Sequence, residues 1–204
     1  CVDKIETAAA SGACSPLQPC PADGSSLTVF TFETSLIEFE QRTAGSGPWA
    51  WAASAGDHHG VVQRTTDSGT GATLTTCRFD TNTTTIRLDF LPKLGTNAAS
   101  FELSVGGMVY ATVAIPGTSS SVDHAVVTMS NGGVSSIGQM AVGANANDLV
   151  WTRSWEVSVP SVETAVDVEI GLAHSGGAAS SDAVVDNIVV IGGTCGTAFA
   201  CKCL

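Results

Sequence analysis

Ser181-Asp182-Ala183-Val184-Val185-Asp186-Asn187-Ile188-Val189-Val190-Ile191 is the stretch on which the fold turns. Val and Ile dominate it, and Ser and Gly bound it, the composition of a β-strand. Asp186 interrupts the run, with apolar residues on both sides. A lone buried carboxylate is costly, so Asp186 must be paired, hydrogen-bonded or metal-bound.

Working outward, similar runs recur along the chain. Leu27–Glu33 alternates, with Leu27, Val29 and Thr31 on one face and Thr28, Phe30 and Phe32 on the other. Trp49-Ala50-Trp51 follows a loop containing Gly45, Gly47 and Pro48, and Gly56–Gly60 reads as a polar turn before Val61-Val62. Further runs cover 72–78, 84–90, 99–105, 108–115, 122–129, 150–159, 165–172 and 183–191. Gly106-Gly107 and Ser130–Gly133 mark tight hairpins. Residues 135–148, rich in Gly, Asn and Ala, read as a long loop. No internal repeat is present, and the threonines of 73–85 lack the regular spacing of an ice-binding face. About ten short strands at even spacing predict an all-β antiparallel jelly-roll β-sandwich over residues 27–191. A Cys/Pro-rich extension, 1–26, precedes it, and a Cys-rich tail, 192–204, follows.

Bulk composition narrows the function. With 44% hydrophobic and 13% charged residues over 204 positions, the chain can bury a real core. A net charge of −11 repels nucleic acid and anionic membranes and suits divalent cations, besides keeping a protein in solution. No apolar run is long enough for a transmembrane helix. Six of the seven cysteines, Cys1, Cys14, Cys20, Cys195, Cys201 and Cys203, lie in the terminal segments, the pattern of disulfide stapling in an oxidising compartment. No CxxC pair is present, which disfavours a zinc knuckle. The odd count leaves one thiol over, and Cys77, ending an apolar strand far from both tails, is the expected free one. Asn82-Thr83-Thr84 is a glycosylation sequon. An opening Cys1 without Met is expected of a processed, secreted product, and is also where a bacterial lipid anchor attaches.

Glu33, Asp57 and Asp186 sit at strand ends or in turns. Carboxylates with backbone carbonyls can supply the hard oxygen ligands calcium requires. The plainer reading holds Asp186 on backbone amides and leaves Glu33 solvated. Trp49 and Trp51 share one face of an extended segment. Exposed, they would stack on sugar rings; more often such aromatics plug a core. Trp151 and Trp155 share strand parity and are expected in the core or at its edge. No catalytic set emerges. His58 and His59 are adjacent and would point to opposite faces. Glu38 and Glu40, on one strand face, lie about 7 Å apart by rise alone, a spacing common on solvated faces.

The order Phe30-Thr31-Phe32-Glu33, Trp49 or Trp51, Gly56-Asp57-His58, Trp151 and Trp155, Val185-Asp186-Asn187-Ile188, then Cys195 resembles a MAM domain, an extracellular jelly roll of receptor-type phosphatases, meprins and neuropilins. Jelly-roll carbohydrate-binding modules likewise open on Phe-Glu and close on an Asp-Asn-Ile/Val strand. In both groups first- and last-strand acids hold a structural calcium or sodium ion, which by resemblance implicates Glu33, Asp57 and Asp186. The family cysteine before the first-strand acid is replaced by Phe32, and the following Cys-Gly-Trp by Glu38-Phe39-Glu40, so one family disulfide is missing. Analogy with the later family disulfide offers Cys77–Cys195 as the rival to a free Cys77. The expected function is a secreted, non-catalytic structural or adhesion module that self-assembles into an extracellular fibre or matrix. The alternative is a carbohydrate-binding module using Trp49 and Trp51 on extracellular glycans.

Overall fold

Apolar runs cut by Gly, Asn and Ser become strands in the computed structural model, which describes residues 25–30, 39–43, 49–64, 72–76, 84–145, 147–160, 170–177 and 179–194. Among them fourteen strands form: β1 (Ser25–Phe30), β2 (Phe39–Thr43), β3 (Trp49–Ala55), β4 (His58–Arg64), β5 (Ala72–Thr76), β6 (Thr84–Lys93), β7 (Ala99–Val105), β8 (Met108–Ile115), β9 (His124–Met129), β10 (Val134–Ser135), β11 (Gln139–Ala141), β12 (Thr152–Val159), β13 (Ile170–Ser175) and β14 (Asp182–Thr194). Two antiparallel seven-stranded sheets result, and the described residues contain no helix. The first runs β10-β12-β6-β14-β4-β3, with β1 also on β14; the second runs β11-β9-β8-β7-β13-β5-β2.

The quoted stretch is the spine of the first sheet. β14 pairs with β6 along one edge. Along the other it pairs first with β4, at Val184 and Val185, and then with β1, from Ile188 to Thr194. Period-two alternation sends Ile86, Leu88 and Phe90 of β6 and Val185 of β14 into the core, where they meet Phe101, Leu103 and Leu172 of the second sheet. Phe90 and Phe101 pack with ring centroids 4.8 Å apart, and Phe90 meets Trp155 edge-on at 5.7 Å.

Two bulges disturb this alternation, and both lie beside Asp89 of β6. In β14 the register shifts between Asp186 and Val189; in β12 it shifts between Thr152 and Trp155. Asn187 and Ser154 take left-handed φ values of 49° and 53° there. Because of its bulge β12 does not keep Trp151 and Trp155 on one face. Trp155 enters the main core, while Trp151 joins Leu91, Val184, Ala52 and Ala55 on the opposite face of the sheet.

Other local expectations shift. The segment expected to be a loop, 135–148, contains β11, which pairs with β9. β13 runs to Ser175, beyond the expected end at Leu172. The turn at 56–60 is confined to Gly56-Asp57, since His58 already pairs with Ala55. β1 begins at Ser25 and β14 reaches Thr194, so the first and last strands take residues from both expected extensions. Cys1, Cys14, Cys20, Cys77, Cys195, Cys201, Cys203 and Asn82 lie outside the described residues.

Candidate functional site

Asp186 and Asp89 are direct cross-strand partners, so their side chains share the outer face of the first sheet. The β3–β4 hairpin pairs with β14 at Val62 and Gln63, and its preceding tip brings His58 to that face. His58, 6% exposed, places Nδ1 2.7 Å from Asp186 Oδ2 and 3.9 Å from Asp89 Oδ2. Its ring stacks on Trp151 with centroids 4.0 Å apart. Trp151 Nε1 donates to Ala55 O at 3.0 Å, and the Arg153 guanidinium pairs with Asp57 at the hairpin tip.

Both bulges feed this pair of acids. Asn187 N donates to Asp186 Oδ1 at 2.7 Å, and Asn187 Nδ2 to Asp89 Oδ2 at 3.0 Å. Ser154 N donates to Asp89 Oδ1 at 2.7 Å. Each bulge thus turns a backbone amide out of the ladder toward a carboxylate. Burial raises the Asp186 pKa above the ordinary carboxylate value, against the lowering influence of the His58 and Asn187 hydrogen bonds.

The sequence-derived cation set is therefore distributed as follows. Asp186 is buried with His58 as its partner, Asp57 is exposed and paired with Arg153, and Glu33 lies outside the described residues. Among the described residues no group of three His, Cys, Asp or Glu side chains is placed to hold a metal ion. Trp49 is 1% exposed and packs edge-on against Phe101, which removes it as a sugar platform. The side chain of Trp51 is not among those described.

A second constellation went unread in the sequence. Three connections converge at one end of the sandwich: 94–98 between β6 and β7, 116–123 between β8 and β9, and 176–181 between β13 and β14. Ser181, fully buried, joins all three. Its Oγ donates to Pro116 O at 2.5 Å and accepts the Gly95 N–H at 2.9 Å, while its backbone N donates to Asn97 O at 2.7 Å. Buried His174 places Nε2 3.1 Å from Ser181 O. Thr118 N donates to Gly95 O at 2.8 Å and Asn97 N to Ala179 O at 3.1 Å. A Cβ at Gly95 would come within 2.3 Å of Ser180 O, and one at Gly117 within 2.4 Å of Thr96 O, so only glycine permits these close approaches.

The riveted loops frame a cleft of about 240 Å³, open to solvent. Lys93, Thr96, Thr118, Ser180 and Asp182 supply its polar groups, and Leu94, Gly95 and Ala179 the remainder. Ser180 and Asp182 are buried, whereas Thr96 and Thr118 are exposed. Asp182 Oδ1 accepts the Ala183 N–H at 2.9 Å. A hint lay in the glycines and hydroxyls of the three loops, but nothing in the sequence says that these loops meet.

No family model matches the chain, and no curated protein does, so the MAM resemblance gains no support. Solved structures share the fold at low identity. The K1 cleaved adhesin domain of Lys-gingipain from Porphyromonas gingivalis W83 aligns with a TM-score of 0.50 at 10% identity, over 83% of this chain and 99% of that one. A xylan-binding domain of carbohydrate-binding module family 22 aligns at 0.45 and 12% identity, over 90% of this chain and all of that one (100%). The Clostridium thermocellum endo-1,4-β-D-xylanase 10B chain, which joins such a module to a glycoside hydrolase module, aligns at 0.47 and 11% identity. That alignment takes in 81% of this chain but only 28% of the xylanase chain. The architecture is that of an all-β jelly-roll sandwich.

Proposed function

We propose that this chain is a secreted, non-catalytic carbohydrate-binding module that takes its ligand in the loop-end cleft. The observation that carries this reading is a solvent-open cleft furnished with a few polar side chains, whose walls are fixed by hydrogen bonds between the loops before any ligand arrives. Small-molecule sites are concave, largely pre-formed, and furnished with a few placed polar groups. Sugars present hydroxyls at fixed angles, and rigid walls limit the ordering cost of binding them. The site differs from the tryptophan platform expected from the sequence, because Trp49 is in the core.

The test is calorimetric titration of the full chain with a panel of soluble polysaccharides, alongside a Thr96→Trp variant that fills the exposed mouth of the cleft. Binding that disappears in the variant, with melting unchanged, supports the reading. Absence of binding across the panel overturns it.

The self-assembling reading rests on the odd cysteine count. Disulfide-linked oligomers on a non-reducing gel that collapse on reduction would favour it. A structural calcium ion shared by Glu33, Asp57 and Asp186 remains a proposal. Added calcium should then raise the melting temperature over that in chelator, and identical melting removes the site.

A further inference from the structure

We propose that the cleft selects saccharides bearing a carboxylate, uronic acids or their oligomers, with Lys93 as the partner of that carboxylate; this rests on the carbohydrate-binding reading. The chain has 19 acidic and 8 basic residues, so a cation that forms no ion pair is unexpected. Arg87 is tied to Glu156 at 2.6 Å, and Arg153 is tied to Asp57. Lys93, on the cleft wall, has no ion-pair partner among the described residues. Its ammonium is a compact donor of three hydrogen bonds, open to an anion from the cleft.

The residue opposite narrows the ligand further. Asp182 is the direct cross-strand partner of Lys93 and sits in the same cleft. A simple anion beside Lys93 would meet repulsion from the Asp182 carboxylate. A uronic acid offers both groups on one rigid ring: the carboxylate for Lys93 and a vicinal hydroxyl as donor to Asp182. Thr96 and Thr118 at the mouth can meet the remaining hydroxyls by donating or accepting. The net charge of −11 does not exclude an acidic ligand, because repulsion from distant charges is screened beyond about 8 Å at physiological salt.

The experiment titrates the full chain by calorimetry with oligogalacturonate, glucuronic acid, a neutral xylo-oligosaccharide and acetate. The acidic sugars should bind, more weakly as salt is added, with the neutral oligomer well behind and acetate silent. Lys93→Met should weaken acidic-sugar binding roughly ten- to hundred-fold, the loss expected for one hydrogen bond to a charged group. Lys93→Arg should restore most of it, and circular dichroism should show both variants folded. Neutral and acidic oligomers binding alike, or Lys93→Met binding as the wild type does, overturns the role of Lys93 and leaves the carbohydrate reading standing. Acetate binding as tightly as the uronates reduces the cleft to an anion site. No saccharide of either class binding overturns both.

Discussion

At the scale of single residues, Asp186 shows what a sequence can and cannot disclose. An acid inside an apolar run must have a partner, and that much follows from the cost of burying a charge. The partner is His58, 128 positions away, which no local pattern could name. Asp89 is the same anomaly in the alternating run Ile86-Arg87-Leu88-Asp89-Phe90, legible in principle but hidden by the charged neighbour Arg87. Replacing Asp186 by Ala should cost roughly 1–3 kcal/mol, since His58 Nδ1 and Asn187 N lose their acceptors. Asn at the same position keeps an acceptor without the buried charge. Because burial raises the Asp186 pKa in the folded state, the contribution of this group is greatest below its unfolded pKa and declines as pH rises through the folded one. Urea titrations should therefore show Asp186→Asn gaining on the wild type from about pH 4 upward. A constant difference across pH would show that Asp186 is not the titrating group. Ser181, marked in the sequence only as a strand boundary, holds three loops through one hydroxyl. Ser181→Ala should cost roughly 1–3 kcal/mol by leaving the Gly95 N–H and Pro116 O unpaired. If the cleft is the binding site, saccharide affinity should fall with it.

At the scale of elements, strand existence was legible and strand irregularity was not. Period-two patterning finds β7 and β8 with their observed bounds, because a Gly-Gly turn joins them and their one register shift, between Leu103 and Ser104, lies close to that turn. It misplaces Trp151 relative to Trp155, because parity counted through a bulge inverts. A bulge depends on what the extra residue meets across the sheet, here Asp89, and that information lies on another strand. The two bulges should respond differently to glycine. Ser154 supplies only its backbone N–H to Asp89 while holding φ at 53°. Ser154→Gly relieves the left-handed strain and should stabilise by roughly 0.5 kcal/mol after the added unfolded-state entropy. Asn187 also donates its side-chain amide to Asp89, so Asn187→Gly should destabilise by roughly 1 kcal/mol despite the same relief. Chemical denaturation of the two variants reads the sign directly; equal gains at both positions would mean that the Asn187 amide contributes nothing.

At the scale of the whole molecule, composition and strand spacing lead to a sandwich, while the order of strands within its sheets does not follow from them. Among the described residues only β3–β4, β7–β8 and β8–β9 pair consecutive strands, and every other pairing described crosses the chain. The longest crossing joins β1 to the second half of β14, where Phe30 lies opposite Ile188 and Leu27 opposite Ile191. That pairing fixes where the domain begins. Without β1, the edge of β14 from Ile188 onward would be left unpaired, an apolar template for aggregation. Removal of residues 1–24 leaves β1 whole, and removal of 1–30 deletes it. The shorter truncation should unfold cooperatively, whereas the longer one should aggregate or lose its cooperative transition. The shorter truncation also discards Cys1, Cys14 and Cys20. If their disulfides fasten the lead to the tail, full-length oxidised protein should exceed it by about 3–5 kcal/mol for each long loop closed, and full-length reduced protein should match it. A truncated chain less stable than the reduced full-length chain would assign residues 1–24 a packing role of their own. Loss of folding in the shorter truncation would move the start of the domain ahead of Ser25.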